Sequence, residues 1–302
     1  VAGRRQRQMC IRDSRYSGRN RWHHYHRERP AGRWCICRRD HQRPFLYLTH
    51  MLVSEEECTI IIPAYNEAGR IGVLLEGLAA YRGPVIVVCD GDDDTAGLVR
   101  AFARNHPSCR MECWEYNERL GKGGGVAAGL MRAETLYAGF MDADGSTTVR
   151  EMRRLFAALR DGDAGTAVDG AIGSRWIEGA CVPVRQSVGR QVQSRLFNFF
   201  VRLVFGLTYL DTQCGAKVFR TKVVQAVLPS VRSRGFEFDV ELLWQMKKRG
   251  YVVREVPICW EDQPDSRVGS TTGFAMLEGL LRVRLGRHES VAETSVTESS
   301  AK

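Results

Sequence analysis

Residues 58–78 read CTIIIPAYNEAGRIGVLLEGL and hold the pattern that decides the fold. The β-branched run at 59–62 predicts a buried strand that ends at Pro63, and apolar residues spaced at i, i+3, i+4 and i+7 from Ile71 predict a helix. The same alternation recurs, with further predicted strands at 85–88, 111–116 and 137–141. Continuous apolar strands that alternate with helices are typical of a mainly parallel sheet covered by helices on both faces, so the fold class is α/β.

The pattern continues with less regularity beyond residue 165. Predicted strands cover 169–174, 213–220 and 251–256, and predicted helices cover 95–105, 125–135, 149–160, 186–206 and 237–249. We expect one α/β domain over 51–287, with a disordered leader over 1–50 and a disordered tail over 288–302. Ligands of such sheets bind at the carboxyl ends of the strands, where this chain concentrates its acidic and Gly-rich turns.

The positive charge of the chain is confined to its first 50 residues. The 302 residues carry 44 Lys and Arg against 35 Asp and Glu, a net charge of +9. Residues 1–50 hold 13 of the basic residues and 3 of the acidic ones, which leaves 31 basic and 32 acidic residues over 51–302. A neutral body argues against a nucleic-acid partner. The leader resembles non-native coding sequence with Met51 as a natural start, so it is excluded from the fold.

The ten cysteines are scattered and show no spacing typical of a metal site or a disulfide framework. Most of them lie in apolar runs, as buried free thiols do, and this favours a reducing cytoplasm. The longest apolar region, residues 196–210, is interrupted by Arg202 and is too short to span a bilayer. We therefore expect a cytoplasmic protein whose contact with a membrane is peripheral.

A pair of carboxylates follows the predicted strand at 137–141. Asp142 and Asp144 are separated by one small residue in the sequence DADGS. Two such carboxylates at a strand end can share a hard cation, Mg²⁺ or Mn²⁺, that keeps open positions for phosphate oxygens. Ser146 is a further candidate ligand of the metal. A solvated acidic turn is the alternative explanation of an Asp-x-Asp sequence taken alone.

The turns after the first two strands carry groups suited to a nucleoside. Pro63, Tyr65 and Glu67 stand in the sequence PAYNE, where the ring can stack on a base and the carboxylate can accept from ring N–H groups or ribose hydroxyls. Asp90 begins the acidic turn DGDDDT, and we expect it to face the base. The alternative is that both turns only cap the helices that follow them.

A Gly-rich run follows the third predicted strand. Lys122 and Gly123 lie in LGKGGG, which is predicted to open a helix, so its backbone N–H groups and the lysine suit a diphosphate. The run lacks the spacing of a P-loop, and the dinucleotide fingerprint belongs after the first strand. Four successive strand ends that carry base-, diphosphate- and metal-type groups together indicate a site for a nucleotide and a metal.

Taken together, these motifs resemble family 2 glycosyltransferases of GT-A fold. The resemblance rests on TIIIPAYNE (59–67), the 90–95 turn, GKGGGV (121–126), DADGS (142–146) and IGSR (172–175). Farther along, the chain is similar to the polyprenyl-phosphate sugar transferases, the dolichyl-phosphate glucosyltransferases and mannose synthases. That second similarity rests on LDTQCGAKVFR (210–220), FEFDVELL (236–243), EVPICW (255–260) and DSRV (265–268).

The resemblance implies inverting transfer of a hexose from a nucleotide-diphospho-sugar, UDP-glucose or GDP-mannose, to a polyprenyl phosphate. It implies that Asp142 and Asp144 hold the metal against the donor diphosphate and that Arg175 is catalytic. The resemblance also implies that three further residues are binding residues, namely Gln213, Lys217 and Arg267. The chain departs from the family pattern after the second strand, where CDGD replaces Asp-Asp-Gly-Ser and leaves the identity of the nucleotide open.

A phosphate acceptor changes what the site needs. The second pKa of a phosphate monoester is ~6, so its oxygens are nucleophilic at neutral pH and need cations rather than a general base. The candidate cations are Arg175, Arg185, Arg190, Arg202 and Lys217. The segment 192–205 mixes Leu and Phe with Arg and predicts an interfacial amphipathic helix that reaches the lipid, although a core helix fits equally well.

Three other functions stay open at this point. A family 2 glycosyltransferase could act on a glycan or another non-lipid acceptor, which the similarity over 210–220 and 265–268 argues against. A catalytically silent nucleotide-sugar-binding protein is disfavoured by the intact Asp142 and Asp144. A sugar nucleotidyltransferase would need a Gly-rich loop directly after the first strand, where this chain has PAYNE.

Overall fold

The computed structural model describes residues 53–160, 167–182, 188–261 and 270–285, with only the backbone given for 188–194, 270–275 and 277. The expectations for the leader, for the tail, for Arg185 and for Arg267 therefore lie outside the described residues. The same holds for the side chain of Arg190.

The described residues contain one sheet, whose strands alternate with helices along the chain. The strands are β1 (Cys58–Ala64), β2 (Pro84–Cys89), β3 (Arg110–Glu115), β4 (Tyr137–Met141), β5 (Gly170–Ser174), β6 (Ala216–Arg220) and β7 (Val253–Pro257). Their order in the sheet is β3-β2-β1-β4-β6-β5-β7. Every neighbouring pair is parallel except the two pairs that β6 makes with β4 and β5. The prediction of a mainly parallel sheet is confirmed.

Helices cover both faces of this sheet. They are α1 (Ile71–Leu78), α2 (Thr95–Asn105), α3 (Gly121–Arg132), α4 (Val149–Arg160), α5 (Val188–Phe205), α6 (Thr221–Val227), α7 (Phe238–Lys248) and α8 (Ser270–Arg284). Alternate residues of a strand point to opposite faces of a sheet, so β1 supplies two separate cores. Ile60 and Ile62 pack with α1, α2 and α4, whereas Ile61 packs with α3, α6 and α7.

The Gly-rich run corrects one prediction of an element. The helix predicted to begin at residue 125 begins at Gly121, so the glycines lie inside α3. The physical reason is close packing, because a Cβ on Gly123 would clash with Phe238 and one on Gly129 would clash with Ile61. Glycine is accepted in this helix since no other residue lets it approach the sheet and α7 so closely.

Two strands also differ from their predicted limits. β1 continues through Pro63 to Ala64, and Pro63 packs against α3 at Gly125. β6 begins only at Ala216, because the residues directly before it form a turn that leads the chain into the strand. The sequence did not predict α6 or α8.

Helix α5 has one buried and one exposed face. Val201 and Phe205 are buried in a cluster with residues of α7 and α8. Leu196, Phe199 and Leu203 are 66%, 63% and 73% exposed. The core-helix interpretation is thus right for one face, and the exposed apolar face leaves the interfacial helix as a prediction. Within the described residues, no helix has the length and apolar character that crossing a membrane would require.

Candidate active site

The predicted site residues that the structure describes lie in or beside the turns at one edge of the sheet. The carboxyl ends of the parallel strands lie at this edge, and the amino end of the antiparallel β6 joins them. The N–H of Asp142, directly after β4, donates to the carbonyl of Gly215, directly before β6, at 3.1 Å. The turn after β4 and the turn before β6 are therefore in direct contact.

The two acidic residues of the DADGS turn adopt different roles. Asp144 Oδ1 accepts the N–H of Ser146 at 2.9 Å, while the Asp142 carboxylate is 30% exposed and lies 2.9 Å from the Lys122 ammonium. Gly145, which lies between Asp144 and Ser146, has a φ of +76°, which glycine adopts without strain. The side chain of Ser146 is buried, and its carbonyl accepts the N–H of Glu261.

The chemistry of this pair fits a divalent cation that is held only in part by protein. Within the described ranges, no cluster of three or more His, Cys, Asp or Glu residues could hold a metal. Mg²⁺ characteristically binds through one or two carboxylates and completes its shell with phosphate oxygens and water. Asp142 and Asp144 supply such carboxylates and leave the remaining positions to a ligand.

Lys122 is the counter-ion of this turn. Burial alone would lower the pKa of the Lys122 ammonium, but Asp142 and Asp239 raise it above its ordinary value. Burial raises the pKa of Asp142, and Asp144 adds to this effect while Lys122 opposes it. The lysine therefore stays charged and compensates an acidic group that the protein has partly withdrawn from water.

Lys217 lies deeper, beside the same network. Its side chain has no exposed surface, and its ammonium donates to the carbonyl of Cys214 and to Asp239 Oδ1, both at 2.6 Å. The expectation that Lys217 binds a phosphate is corrected, because its ammonium is fully buried and already donates to two oxygens of the protein. Its role is to compensate Asp239 inside the protein.

Arg175 follows β5 and is held by Asp211. Its Nε and Nη2 donate to the two oxygens of the Asp211 carboxylate at 2.7 and 2.8 Å, and its backbone N–H donates to Oδ2 at 3.0 Å. The ring of Trp260 lies under the guanidinium, 5.0 Å away. Burial would lower the pKa of Arg175, but Asp211 and, more weakly, Asp142 raise it above its ordinary value. Arg175 is thus a firmly held cation, and its partner Asp211 lies in the turn that contacts Asp142 through Gly215.

Asp211 was missed by the sequence analysis, although it lies in the quoted run LDTQCGAKVFR. Its carboxylate has no exposed surface, and its backbone N–H donates to Glu255 at 2.9 Å. An acidic residue directly after the largely apolar run 203–210 was the signal that could have identified it. Gln213, predicted to bind a ligand, is half-buried in the same turn and donates to the carbonyl of Phe236 at 3.4 Å.

Of the predicted nucleoside groups, Tyr65 and Glu67 lie after β1 and have partners of their own. Both oxygens of Glu67 are bound by the guanidinium of Arg70, so this carboxylate is already paired. The Arg119 guanidinium lies 4.1 Å from the centre of the Tyr65 ring. A base that stacks on Tyr65 would therefore meet Arg119, an exposed side chain that can turn aside.

Asp90 and the Gly-rich run bind each other. Asp90 Oδ2 accepts the N–H groups of Leu120 and Gly121 at 2.8 and 2.9 Å. The N–H groups of Gly123 and Gly124 donate to the carbonyl of Arg234. These first N–H groups of α3 were expected to hold a diphosphate, but they are already paired within the protein. Asp90 acts as a cap from a neighbouring loop, and the prediction of a diphosphate-binding group in this run now rests on Lys122.

The sheet, its covering helices and the carboxylate pair at the end of β4 define the GT-A class of nucleotide-sugar transferases. The chain belongs to glycosyl transferase family 2, whose family model matches residues 59–228, and it is therefore a glycosyltransferase.

Two curated relatives illustrate the similarity. The dolichyl-phosphate beta-glucosyltransferase of Drosophila melanogaster is 31% identical over 226 residues, which cover 70% of this chain and 69% of the relative. The polyprenol monophosphomannose synthase of Mycolicibacterium smegmatis is 31% identical over 236 residues, which cover 74% and 84%.

Two solved structures share the fold. A mannosyltransferase from Pyrobaculum calidifontis in complex with GDP-Man and Mn²⁺ superposes with a TM-score of 0.52 at 19% identity, over 76% of this chain and 63% of that chain. A glucosyl-3-phosphoglycerate synthase from Mycobacterium tuberculosis, with Mn²⁺, uridine diphosphate and phosphoglyceric acid, gives 0.56 at 16% identity, over 76% and 78%. At these identities the likeness shows the fold alone.

Proposed function

We propose that this protein transfers a hexose from a nucleotide-diphospho-sugar, with inversion, to a polyprenyl phosphate. The observation that carries the proposal is that Arg175 is held by Asp211, in the turn before β6, and that this turn contacts Asp142 through the carbonyl of Gly215. A carboxylate that binds the donor metal and a fixed cation that binds an anionic acceptor are the two groups such a reaction needs at one place. The acceptors of the curated relatives support the same assignment.

The reaction forms a bond from an acceptor phosphate oxygen to the anomeric carbon and breaks the bond from that carbon to the donor diphosphate. A divalent cation on Asp142 and Asp144 would neutralise the charge that builds on the leaving nucleoside diphosphate. Lys122 adds a second positive charge on the donor side. Arg175 orients the acceptor phosphate and offsets the repulsion between two anionic substrates.

The acceptor needs no protein base in this scheme. His106 is the only histidine among the described residues, and its ring stacks on Phe102 in α2, with Nδ1 3.1 Å from the Phe102 carbonyl. A phosphate with a second pKa of ~6 is already deprotonated at neutral pH. The nucleophile therefore arrives charged, and the protein has to position it.

Helix α5 supplies the contact with the lipid surface. We call Leu196, Phe199 and Leu203 the α5 stripe, because their spacing of three and four residues places them on one side of the helix. Arg195 and Arg202 are exposed on the same helix. Apolar residues that enter the headgroup region beside basic residues are typical of interfacial helices.

The stripe adjoins the proposed acceptor site. The Arg195 guanidinium lies 5.3 Å from the centre of the Trp176 ring, and Trp176 directly follows Arg175. A polyprenyl phosphate bound at Arg175 can therefore keep its chain in the membrane on which α5 lies. The free thiols of the described cysteines support a location on the cytoplasmic face.

A donor screen tests the proposed function. The protein is incubated in detergent with a polyprenyl phosphate and Mg²⁺ or Mn²⁺, and UDP-glucose, GDP-mannose and other nucleotide sugars are offered singly. We expect one hexose donor to give a polyprenyl phosphate hexose that is detected by mass spectrometry. If every donor were only hydrolysed, with no hexose transferred to the polyprenyl phosphate, the proposal would be overturned.

A further inference from the structure

Four charged side chains of alternating sign run from the protein interior to the DADGS turn. Lys217 Nζ lies 2.6 Å from Asp239 Oδ1, Asp239 Oδ2 lies 3.6 Å from Lys122 Nζ, and Lys122 Nζ lies 2.9 Å from Asp142 Oδ1. Lys217 and Asp239 are fully buried, whereas Asp142 is the exposed end of the row. Lys122 thus stands between an internal carboxylate and a carboxylate assigned to the metal.

The two carboxylates differ in how well they are satisfied. Asp239 Oδ1 binds Lys217, but Asp239 Oδ2 is buried and has no hydrogen-bond partner in the part of the chain that the structure describes. A buried carboxylate oxygen without a donor is unfavourable, so it attracts the nearest ammonium. The nearest ammonium is that of Lys122, but its shortest contact is with Asp142.

Packing keeps the two carboxylates within reach of the same lysine. Gly123, next to Lys122, contacts Phe238, next to Asp239, so closely that a Cβ on the glycine would clash. The start of α3 is therefore fixed against the start of α7. A shift of the flexible lysine side chain, without movement of either helix, is enough to exchange Asp142 for Asp239.

We propose that Lys122 occupies Asp142 as a built-in counter-ion in competition with the divalent cation, and that Asp239 is the positioning residue that receives Lys122 when the metal binds. The inference rests on the proposed assignment of the metal to Asp142 and Asp144. A lysine and a divalent cation on one carboxylate repel each other, so metal binding requires Lys122 to leave. Metal binding without donor is thereby weakened, and a donor diphosphate, as a further partner for Lys122, couples the two binding events.

The test measures Mn²⁺ binding to the full chain without nucleotide, from the electron paramagnetic resonance signal of free Mn²⁺. Lys122→Met should bind Mn²⁺ about tenfold more tightly than the unchanged protein, because the competing cation is gone. Asp239→Asn should bind it about tenfold more weakly, since Lys122 loses its alternative partner. Lys222→Met, which removes an exposed lysine in α6, is the matched control and should change nothing.

Lys217→Met separates this role from a structural one. It breaks the same buried ion pair as Asp239→Asn, but it frees Asp239 to attract Lys122, so Mn²⁺ should bind at least as tightly as before. A merely structural pair would weaken Mn²⁺ binding equally in both variants. Asp239→Asn leaves Lys217 buried without its charged partner, so the double variant Asp239→Asn with Lys217→Met, which buries no unpaired charge, is measured beside it. Its Mn²⁺ affinity should fall as in Asp239→Asn.

The outcomes distinguish this inference from the function on which it rests. If Asp144→Asn leaves Mn²⁺ binding unchanged, the metal assignment itself is wrong. If Asp144→Asn abolishes binding while Lys122→Met binds Mn²⁺ no more tightly than the unchanged protein, the counter-ion role of Lys122 is overturned and the metal assignment stands. Equal loss of affinity in Asp239→Asn and Lys217→Met would overturn the role of Asp239.

Discussion

The carboxylate of Asp211 binds the guanidinium of Arg175 through both of its oxygens, at 2.7 and 2.8 Å. Arg175 lies at the end of β5, and Asp211 lies in the turn that precedes β6. The side chain of Asp211 has no exposed surface, so its charge is compensated only from within the protein. This pair fixes the direction in which Arg175, one of the predicted acceptor-binding arginines, faces the edge of the sheet.

Replacing Asp211 by Asn should release Arg175 while keeping the shape of the side chain. We expect the free energy of unfolding to fall by about 3–5 kcal/mol, because a buried charge pair loses one partner. The KM for the acceptor should rise far more than the KM for the donor, since the guanidinium is no longer held in place. Urea unfolding and steady-state kinetics measure the two effects.

Arg175→Lys is the companion variant for that experiment. It keeps the positive charge but not the planar fork that binds a carboxylate and a phosphate in pairs of hydrogen bonds. Acceptor binding should weaken in this variant as well. Unchanged acceptor KM in both variants would mean that Arg175 does not touch the acceptor.

Replacing Asp144 by Asn should remove one of the two carboxylates that are proposed to hold the metal. Turnover should fall by about two orders of magnitude or more, because the charge on the leaving diphosphate is no longer neutralised. Glu134→Gln, which neutralises an exposed acid, is the matched control and should keep full turnover. Full activity of Asp144→Asn, or of the unchanged protein in excess EDTA, would contradict the metal assignment.

Replacing the α5 stripe by serine should weaken binding to lipid vesicles without weakening the fold. Leu196, Phe199 and Leu203 are mostly exposed, so their loss costs little stability, whereas burial in the headgroup region stabilises membrane binding by about 1.5–3 kcal/mol for each fully buried side chain. Flotation with vesicles that contain anionic lipid measures the effect. Val201→Ala on the buried face is the opposite case and should lower Tm while leaving vesicle binding intact.

The substrates should also respond differently to the loss of the stripe. Long-chain acceptors should be used less well, and short water-soluble polyprenyl phosphates should be used as before. An equal loss of activity with long and short acceptors would mean that the α5 stripe has a structural role and does not contact the lipid.

The pH dependence of turnover should follow the acceptor. Only the dianion of a monoester has its full nucleophilic charge, so the rate should rise with pH through the second phosphate pKa of ~6 and then stay level into the alkaline range. A second limb that moves when a histidine such as His106 is replaced would reveal a protein base. Rates measured over a wide pH range at saturating donor and metal provide the comparison.

Much of the fold was predictable because its signals are local. Buried strands and amphipathic helices leave their periodicity in the residues of each element, as Ile60 to Ile62 and the α1 face show. The antiparallel insertion of β6 was not predictable in this way, because the direction of a strand is decided by neighbours far along the chain. Residues 121–124 were left out of the predicted helix, since the reason for a glycine such as Gly123 is the closeness of Phe238, which is distant in the sequence.

In the candidate site, too, the residues with local signals were predictable and those with distant partners were not. Asp142, Asp144 and Arg175 could be proposed from the sequence because each stands in a compact motif that follows a strand, and the structure places them after β4 and β5 as expected. Asp211 and Asp239 were missed because their partners, Arg175 and Lys217, lie 36 and 22 residues away in the sequence. The useful signal for Asp239 was Lys217 itself, since a lysine inside an apolar strand requires a buried acid to compensate it.

The choice of nucleophile distinguishes a polyprenyl-phosphate transferase from a transferase of hydroxyl groups on the same fold. A polyprenyl phosphate and the corresponding free polyprenol, of equal chain length, are offered separately in detergent with Mn²⁺ and the preferred donor, and the products are identified by mass spectrometry. Because Arg175 is placed to hold an anion and no base is required, the hexose should appear on the phosphate and none on the polyprenol. Transfer to the polyprenol or to a glycan hydroxyl, with none to the phosphate, would contradict the proposed function.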